Sequence, residues 1–186
     1  MSVNWVLTEE PLDLPTELGL DFLDFLLVGT SASPLRKSLM DSGLGEALIG
    51  GGLQGDLRQP VFSIGLKGVD PANFAEVEAL IESTLQKCAA DGFTATAIEA
   101  ALNTTEFSLR ENNTGRFPRG LSLMLRAMGN WIYDKDPYEP LQWTAALDSF
   151  KVRAAGSICI TSGAEIANRW ISHSLSIQLP IAALPL

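Results

Sequence analysis

The sequence predicts an α+β fold in which helices pack on one face of an antiparallel or mixed sheet. Three observations carry that expectation. The chain opens with a short alternating, β-rich segment; two further strand patterns follow near residues 46–67; and capped helices fill most of the rest. With 186 residues, 46% of them hydrophobic and 19% charged, the chain suffices for one domain with a substantial core.

Taken in order, Ser2–Leu7 (SVNWVL) alternates and reads as a strand. Asp13 or Thr16 can cap a helix running to about Val28, and its apolar residues surround the axis, which predicts burial on more than one side. Ser33-Pro34 supplies a cap and a first-turn proline for a short second helix that Gly43 ends. Glu46–Leu53 and Pro60–Lys67 are strand candidates joined by Gln54-Gly55-Asp56; in the second, Phe62, Ile64 and Leu66 share one face. The clearest helix is Asp70–Ala90. Asp70 caps it, Pro71 takes its first position, Val69 can staple onto Phe74, and Phe74, Val77, Ile81, Leu85 and Cys88 form one stripe. Gly92 stops this helix with Phe93 folding back. Thr94 begins another to about Glu111, supported by the Glu106/Arg110 spacing. Asn112–Pro118 is a loop. A helix from Arg119 to about Tyr133 carries Leu121, Leu125, Met128 and Ile132 on one face, and Pro140 to Arg153 is the last helix candidate.

Composition narrows function. The formal charge is −9, from 13 basic and 22 acidic residues, which argues against nucleic-acid binding because neutralising phosphates takes a basic face. The charge is uneven: residues 1–30 carry acids and no lysine or arginine, whereas Arg110, Arg116, Arg119 and Arg126 cluster against Glu111 alone. That absence of basic residues also argues against a signal or transit peptide at the start of this chain. No uncharged apolar run reaches membrane-spanning length, since Asp21 and Asp24 interrupt Leu18–Val28. Cys88 and Cys159 form no paired motif and read as free thiols of a reducing compartment.

No catalytic centre is legible. The lone histidine, His173, cannot supply a zinc-ligand cluster, and it stands in the least patterned segment for a serine triad. Gly50-Gly51-Gly52 lacks the GK[ST] of a phosphate loop and reads as a bulge or a close backbone approach. Nothing in the spacing of the carboxylates selects an acid/base pair. Trp5, Trp131, Tyr133, Tyr138 and Trp143 read as core and rim packing.

One polar segment, Ser108 to Gly120, is dense in guanidinium donors and lies between two helices. Arg110, Asn112, Asn113, Arg116 and Arg119 are its candidate contact residues. Either the loop binds something, or its side chains tie it to neighbouring carbonyls.

Here the sequence resembles a known family. SLRENNTGRFPRGLSLMLRAMGNWIYDKDPYEPL is similar to the signature stretch of presequence proteases, a branch of the pitrilysin-type (inverzincin) zinc metallopeptidases. GTSASPLRKSLMDSGLGEAL, QPVFSIGLKGV and DGFTATAIEAALNTTEFSLRENNTG resemble it in the same order, so that the likeness covers about Trp5 to Arg153. Within the signature, Arg116 stands where the pattern has a small residue. The resemblance implies an enzyme of four domains whose halves close around a chamber. Such an enzyme degrades targeting peptides and other short unstructured peptides in the mitochondrial matrix or chloroplast stroma.

The family's HxxEH zinc motif lies in its first domain, and this chain resembles the second, which holds no metal. The implied partners are the catalytic domain of the same enzyme and peptide substrates, with no nucleic acid and no membrane; zinc belongs to the intact relative and no cofactor to this chain. The arginines are then expected to grip acidic partner domains or substrate carbonyls, while the chain's acidic balance suits a basic peptide. The expected organisation is a second, non-catalytic domain over residues 1–153, followed by an atypical tail, 154–186, that reads as an artefact of a truncated or mis-spliced gene model. A metal-free structural or peptide-binding module of the same fold is the rival expectation.

Overall fold

The computed structural model describes residues 1–8, 12–55, 57–111 and 114–156, with the backbone alone at 149, 150 and 152–156. Strand β1 (Ser2–Val6) leads into helices α1 (Leu14–Val28) and α2 (Pro34–Asp41). Strands β2 (Ala47–Gln54) and β3 (Val61–Lys67) form a hairpin. Helix α3 (Phe74–Asp91) follows a 3-10 turn at Pro71–Asn73, and α4 (Ala95–Glu111), α5 (Arg119–Trp131) and α6 (Trp143–Gly156) complete the described chain, a second 3-10 turn at Glu139–Leu141 preceding α6.

Among the described residues the sheet has three strands in the order β1-β3-β2, both pairings antiparallel. The central β3 is therefore the strand with partners on both sides, and its residues from Phe62 to Leu66 are all buried. Phe62, Ile64 and Leu66 point into one cluster with Leu23 and Leu27 of α1, Leu35 and Leu39 of α2, and Val77, Ile81 and Leu85 of α3. Burying each such side chain contributes roughly 1.5–3 kcal/mol, so this cluster is what holds the fold. A smaller cluster joins Phe22 and Leu26 of α1 to Ala101 of α4. No helix among the described residues is long and apolar enough to cross a membrane.

Local chemistry sets the element ends. The Asp13 carboxylate accepts from the Thr16 amide at 3.1 Å, and that of Asp70 from Ala72 at 2.9 Å. Each satisfies an amide that a helix start leaves orphaned. Gly92 ends α3 at φ +70°, and Phe93 folds back onto both clusters.

The triple glycine is a β-bulge. The register shifts between Ile49 and Gly52, where Gly50 and Gly52 adopt φ +96° and +67°.

Three expectations need correcting. Ser33 does not cap α2 with its side chain; its hydroxyl donates to the Phe25 carbonyl at 3.3 Å and accepts from the Thr30 amide, so it locks the α1–α2 corner instead. The α3 stripe starts at Val77, because Phe74 opens the helix just beyond the 3-10 turn and remains exposed. Trp131 and Tyr138 are exposed rather than packed, whereas Tyr133, Trp143 and Trp5, the last tilted against Phe62 at 5.8 Å, are half-buried as rim packing should be.

Candidate functional site

The polar loop singled out in the sequence joins α4 to α5. At its near end, Arg110 Nε donates to Glu106 Oε1 at 2.7 Å, as the four-residue spacing predicts. The other carboxylate oxygen of Glu106 accepts from Lys151 Nζ on α6. Glu106 thereby ties α4 to α6, and the hydrogen bonds from Lys151 and then Arg110 hold its carboxyl below the usual glutamate value. Arg110 thus has a structural partner, though more than half its side chain stays accessible.

Thr114 to Phe117 form a tight turn. The Phe117 amide donates to the Thr114 carbonyl at 3.0 Å, and the Thr114 hydroxyl donates to the Phe117 carbonyl at 2.6 Å, with Gly115 at φ +58°. This turn holds Arg116 and Arg119 out from the surface, both exposed and without an ion pair among the described residues. Asn112 and Asn113 lie outside the described residues, as do Cys159 and His173. Arg110 lies in the last turn of α4, Arg116 in the 114–117 turn, and Arg119 opens α5.

Sequence reasoning missed Asp24. This α1 carboxylate sits where the bulge of β2 crosses the helix, and it accepts from the Leu53 amide at 3.1 Å. A Cβ on Gly52 would fall 2.3 Å from Asp24 Oδ1, so only glycine admits the carboxylate there. Burial pushes the Asp24 carboxyl up to about 6 against the opposing Leu53 hydrogen bond, and neighbouring Asp21 adds to the rise. Its signal in the sequence was weak, since Asp24 is one of two aspartates, with Asp21, in the apolar run Leu18–Val28. The adjoining crevice, lined by Leu20, Leu23, Leu27, Leu53 and Phe62, holds only about 10 Å³, too little for a ligand.

The described residues do not fit a zinc site. Structural and catalytic zinc take three or four His, Cys or carboxylate ligands around one point. Among the described residues no three such side chains come together, and Cys88 is buried, its thiol pushed up by that burial.

Comparison with known proteins gives the arrangement a context. The profile of the peptidase M16 inactive domain matches residues 1–105. Presequence protease 1, chloroplastic/mitochondrial, of Arabidopsis thaliana is 60% identical over 155 residues, which are 83% of this chain and 14% of that protein. The mitochondrial presequence protease of Yarrowia lipolytica is 32% identical over 151 residues, 81% of this chain and 15% of its own length. The chain thus spans about one seventh of the length of the curated relatives it matches.

Among solved structures, the inactive peptidase domain assigned to a zinc protease of Bordetella parapertussis superposes with a TM-score of 0.66 at 13% identity, over 91% of this chain and 82% of that one. The periplasmic protease PqqL of Escherichia coli superposes at 0.62 with 15% identity, over 94% of this chain and 18% of its own. At such identities these two speak for the fold, while the family assignment rests on the sequence matches. The chain belongs to the peptidase M16 inactive-domain family, as a domain of the presequence-protease type.

Proposed function

We propose that this chain serves as the second, non-catalytic domain of a presequence-protease-like zinc metalloendopeptidase. Residues 1–153 form the domain, and the chain's part in proteolysis is to wall a peptide chamber whose zinc and catalytic groups come from a partner domain of the same enzyme. The observation that carries the reading is the 60% identity over 155 residues to an Arabidopsis protein named as a presequence protease.

The substrates in this reading are cleaved targeting peptides and other short unstructured peptides, in mitochondria or chloroplasts. Arg110, Asn112, Asn113, Arg116 and Arg119 serve as the contact loop toward the partner domain or the substrate backbone, while the net charge of −9 favours basic peptides.

A metal-free module acting by itself is the second reading. What favours it is that β1 to α3 close a core of their own around Phe62, Ile64 and Leu66 of β3. One experiment separates the two. The matching segment of the Arabidopsis protease is replaced by this one, and hydrolysis of a fluorogenic presequence peptide is followed with and without chelator. Chelator-sensitive activity in the chimera and none from the 186-residue chain supports the first reading. Peptide binding by the chain with an inactive chimera supports the second, and chelator-sensitive hydrolysis by the chain alone overturns both.

A further inference from the structure

Helix α5 carries an apolar stripe that the described residues of its own domain leave uncovered. Its spacing places Leu121, Met124, Leu125, Met128, Trp131 and Ile132 along one stripe, and Arg119, Arg126 and Asn130 on the opposite side. An amphipathic helix ordinarily buries such a stripe. Here the six apolar side chains are 38–69% exposed, and α5 buries no residue. Asn130, on the polar side with the two arginines, reaches the rest of the domain, while Arg119 and Arg126 are exposed. Asn130 Nδ2 donates to the Asp136 carbonyl at 3.1 Å and to Glu139 Oε2 at 3.3 Å, which fastens α5 to the 3-10 turn ahead of α6. Contiguous exposed leucine, methionine and tryptophan on a helix held in place from behind mark an interface.

We infer that the apolar stripe of α5 is a seat for another folded domain, one that is apolar at its centre and presents carboxylates opposite Arg116 and Arg119. The inference rests on the preceding reading of the chain as one domain of a longer protease. Length supports this occupant. A match of 155 residues within 186 must take in 32–155, hence α5, yet it accounts for only 14% of the Arabidopsis protein. There is far more chain in such a protein than this domain can itself cover.

Charge supports it too. Arg116 and Arg119 have no ion pair among the described residues, and Glu106 is already occupied by Arg110 and Lys151. A lipid surface suits the seat less well. Residues 114–142 carry four basic side chains (Arg116, Arg119, Arg126, Lys135) and three acidic ones (Asp134, Asp136, Glu139), a net of one positive charge on a chain of −9. A second copy would bring another −9 to the contact.

The test uses the chimera described above together with the 186-residue chain, each with the paired substitutions Leu125→Glu and Met128→Glu. In the chimera the pair should lower peptidase activity at least ten-fold and open residues 114–132 to limited proteolysis. In the chain alone it should leave the circular-dichroism melt unchanged, which removes misfolding as a cause. The swap Leu125→Met with Met128→Leu should restore activity, and Arg119→Glu should cost several-fold in a salt-dependent way. A doubly substituted chimera as active and as protease-resistant as its parent overturns the inference. So does flotation of the unsubstituted chain with phosphatidylserine vesicles, or a dimer in sedimentation that the substitutions dissolve. Should the unsubstituted chimera be inactive, the preceding reading fails by itself. Proteolysis then decides the seat: protection of 114–132 in the chimera relative to the isolated chain upholds it, and equal cleavage sinks it.

Discussion

Residues 1–93 and the helices that follow them spend their apolar side chains differently. The first part drives Phe62, Ile64 and Leu66 of β3 against three helices and leaves Val77 and Ile81 wholly buried. Helices α4 to α6 bury only Ala101 and Leu147 among their described side chains, while Phe107, Leu125, Trp131 and Ile132 face outward. Helical pattern is as regular in the second part as in the first. The difference is in whether the partner for the pattern lies within the domain. The amino-terminal part closes its own core, and the carboxy-terminal helices offer an apolar surface to something else. That asymmetry is what the proposed seat on α5 would account for.

Substitutions can break or sharpen the contrast. The largest effect should come from Phe62→Ala, which removes the biggest side chain of the closed core and should cost about 3–5 kcal/mol in urea unfolding. A loss below about 1 kcal/mol would erase the distinction between the two parts. Gly52→Ala comes next, at about 1–3 kcal/mol, because the residue must hold a positive φ against the Asp24 carboxylate.

Asp24→Asn should act in the opposite direction. Folding raises this carboxyl from 3.8 to about 6, so the folded chain binds the proton more tightly. The contribution of Asp24 to stability is complete below pH 3.8 and lost as the pH rises through about 6. At pH 8 the asparagine variant should be more stable by about 1 kcal/mol, the value discounted for the solvent that still reaches the group. That corresponds to a Tm higher by about 2–4 °C. The gap should close near pH 4; a lower Tm at pH 8 would show that the carboxylate is worth more as an acceptor than it costs to bury.

Smaller still, Trp131→Ala in the isolated chain should move stability by less than about 0.5 kcal/mol despite the size of the ring, since α5 buries nothing. Glu106→Gln should show only as faster amide exchange in α4, with global unfolding unchanged.

Much of the closed part was legible because its signals are local. Asp13, Pro34, Asp70-Pro71 and Gly92 each dictate a helix end through their own backbone chemistry, and the alternation in Val61–Lys67 marks the core face of β3. What was not legible depends on contacts distant in the chain. Ser33 looks like a cap in sequence, but the Phe25 carbonyl lies within its reach in the folded corner. Asp24 looks like an ordinary surface acid until β2 crosses it. Leu121, Leu125, Met128 and Ile132 declare a stripe, yet periodicity says nothing about where the covering surface is. The candidate loop was legible as arginine-rich, and the pairing of Glu106 with Arg110 could be read from spacing. The hold of Lys151 on the same carboxylate, across 45 residues, could not.

The Asp24 carboxylate has a further consequence for solubility. Among the described residues strand β2 is an edge in the order β1-β3-β2, and an edge strand with free amides is a template on which another chain can add. Here one of those amides, that of Leu53, is already taken by a carboxylate from the helix behind it, and the bulge at Gly50 and Gly52 bends the strand away from a flat pairing line. Above about pH 6 an incoming strand would also meet a negative charge at that point. The same side chain that taxes the stability of the domain at neutral pH therefore guards it against stacking edge to edge, and acidification weakens that guard as it relieves the strain.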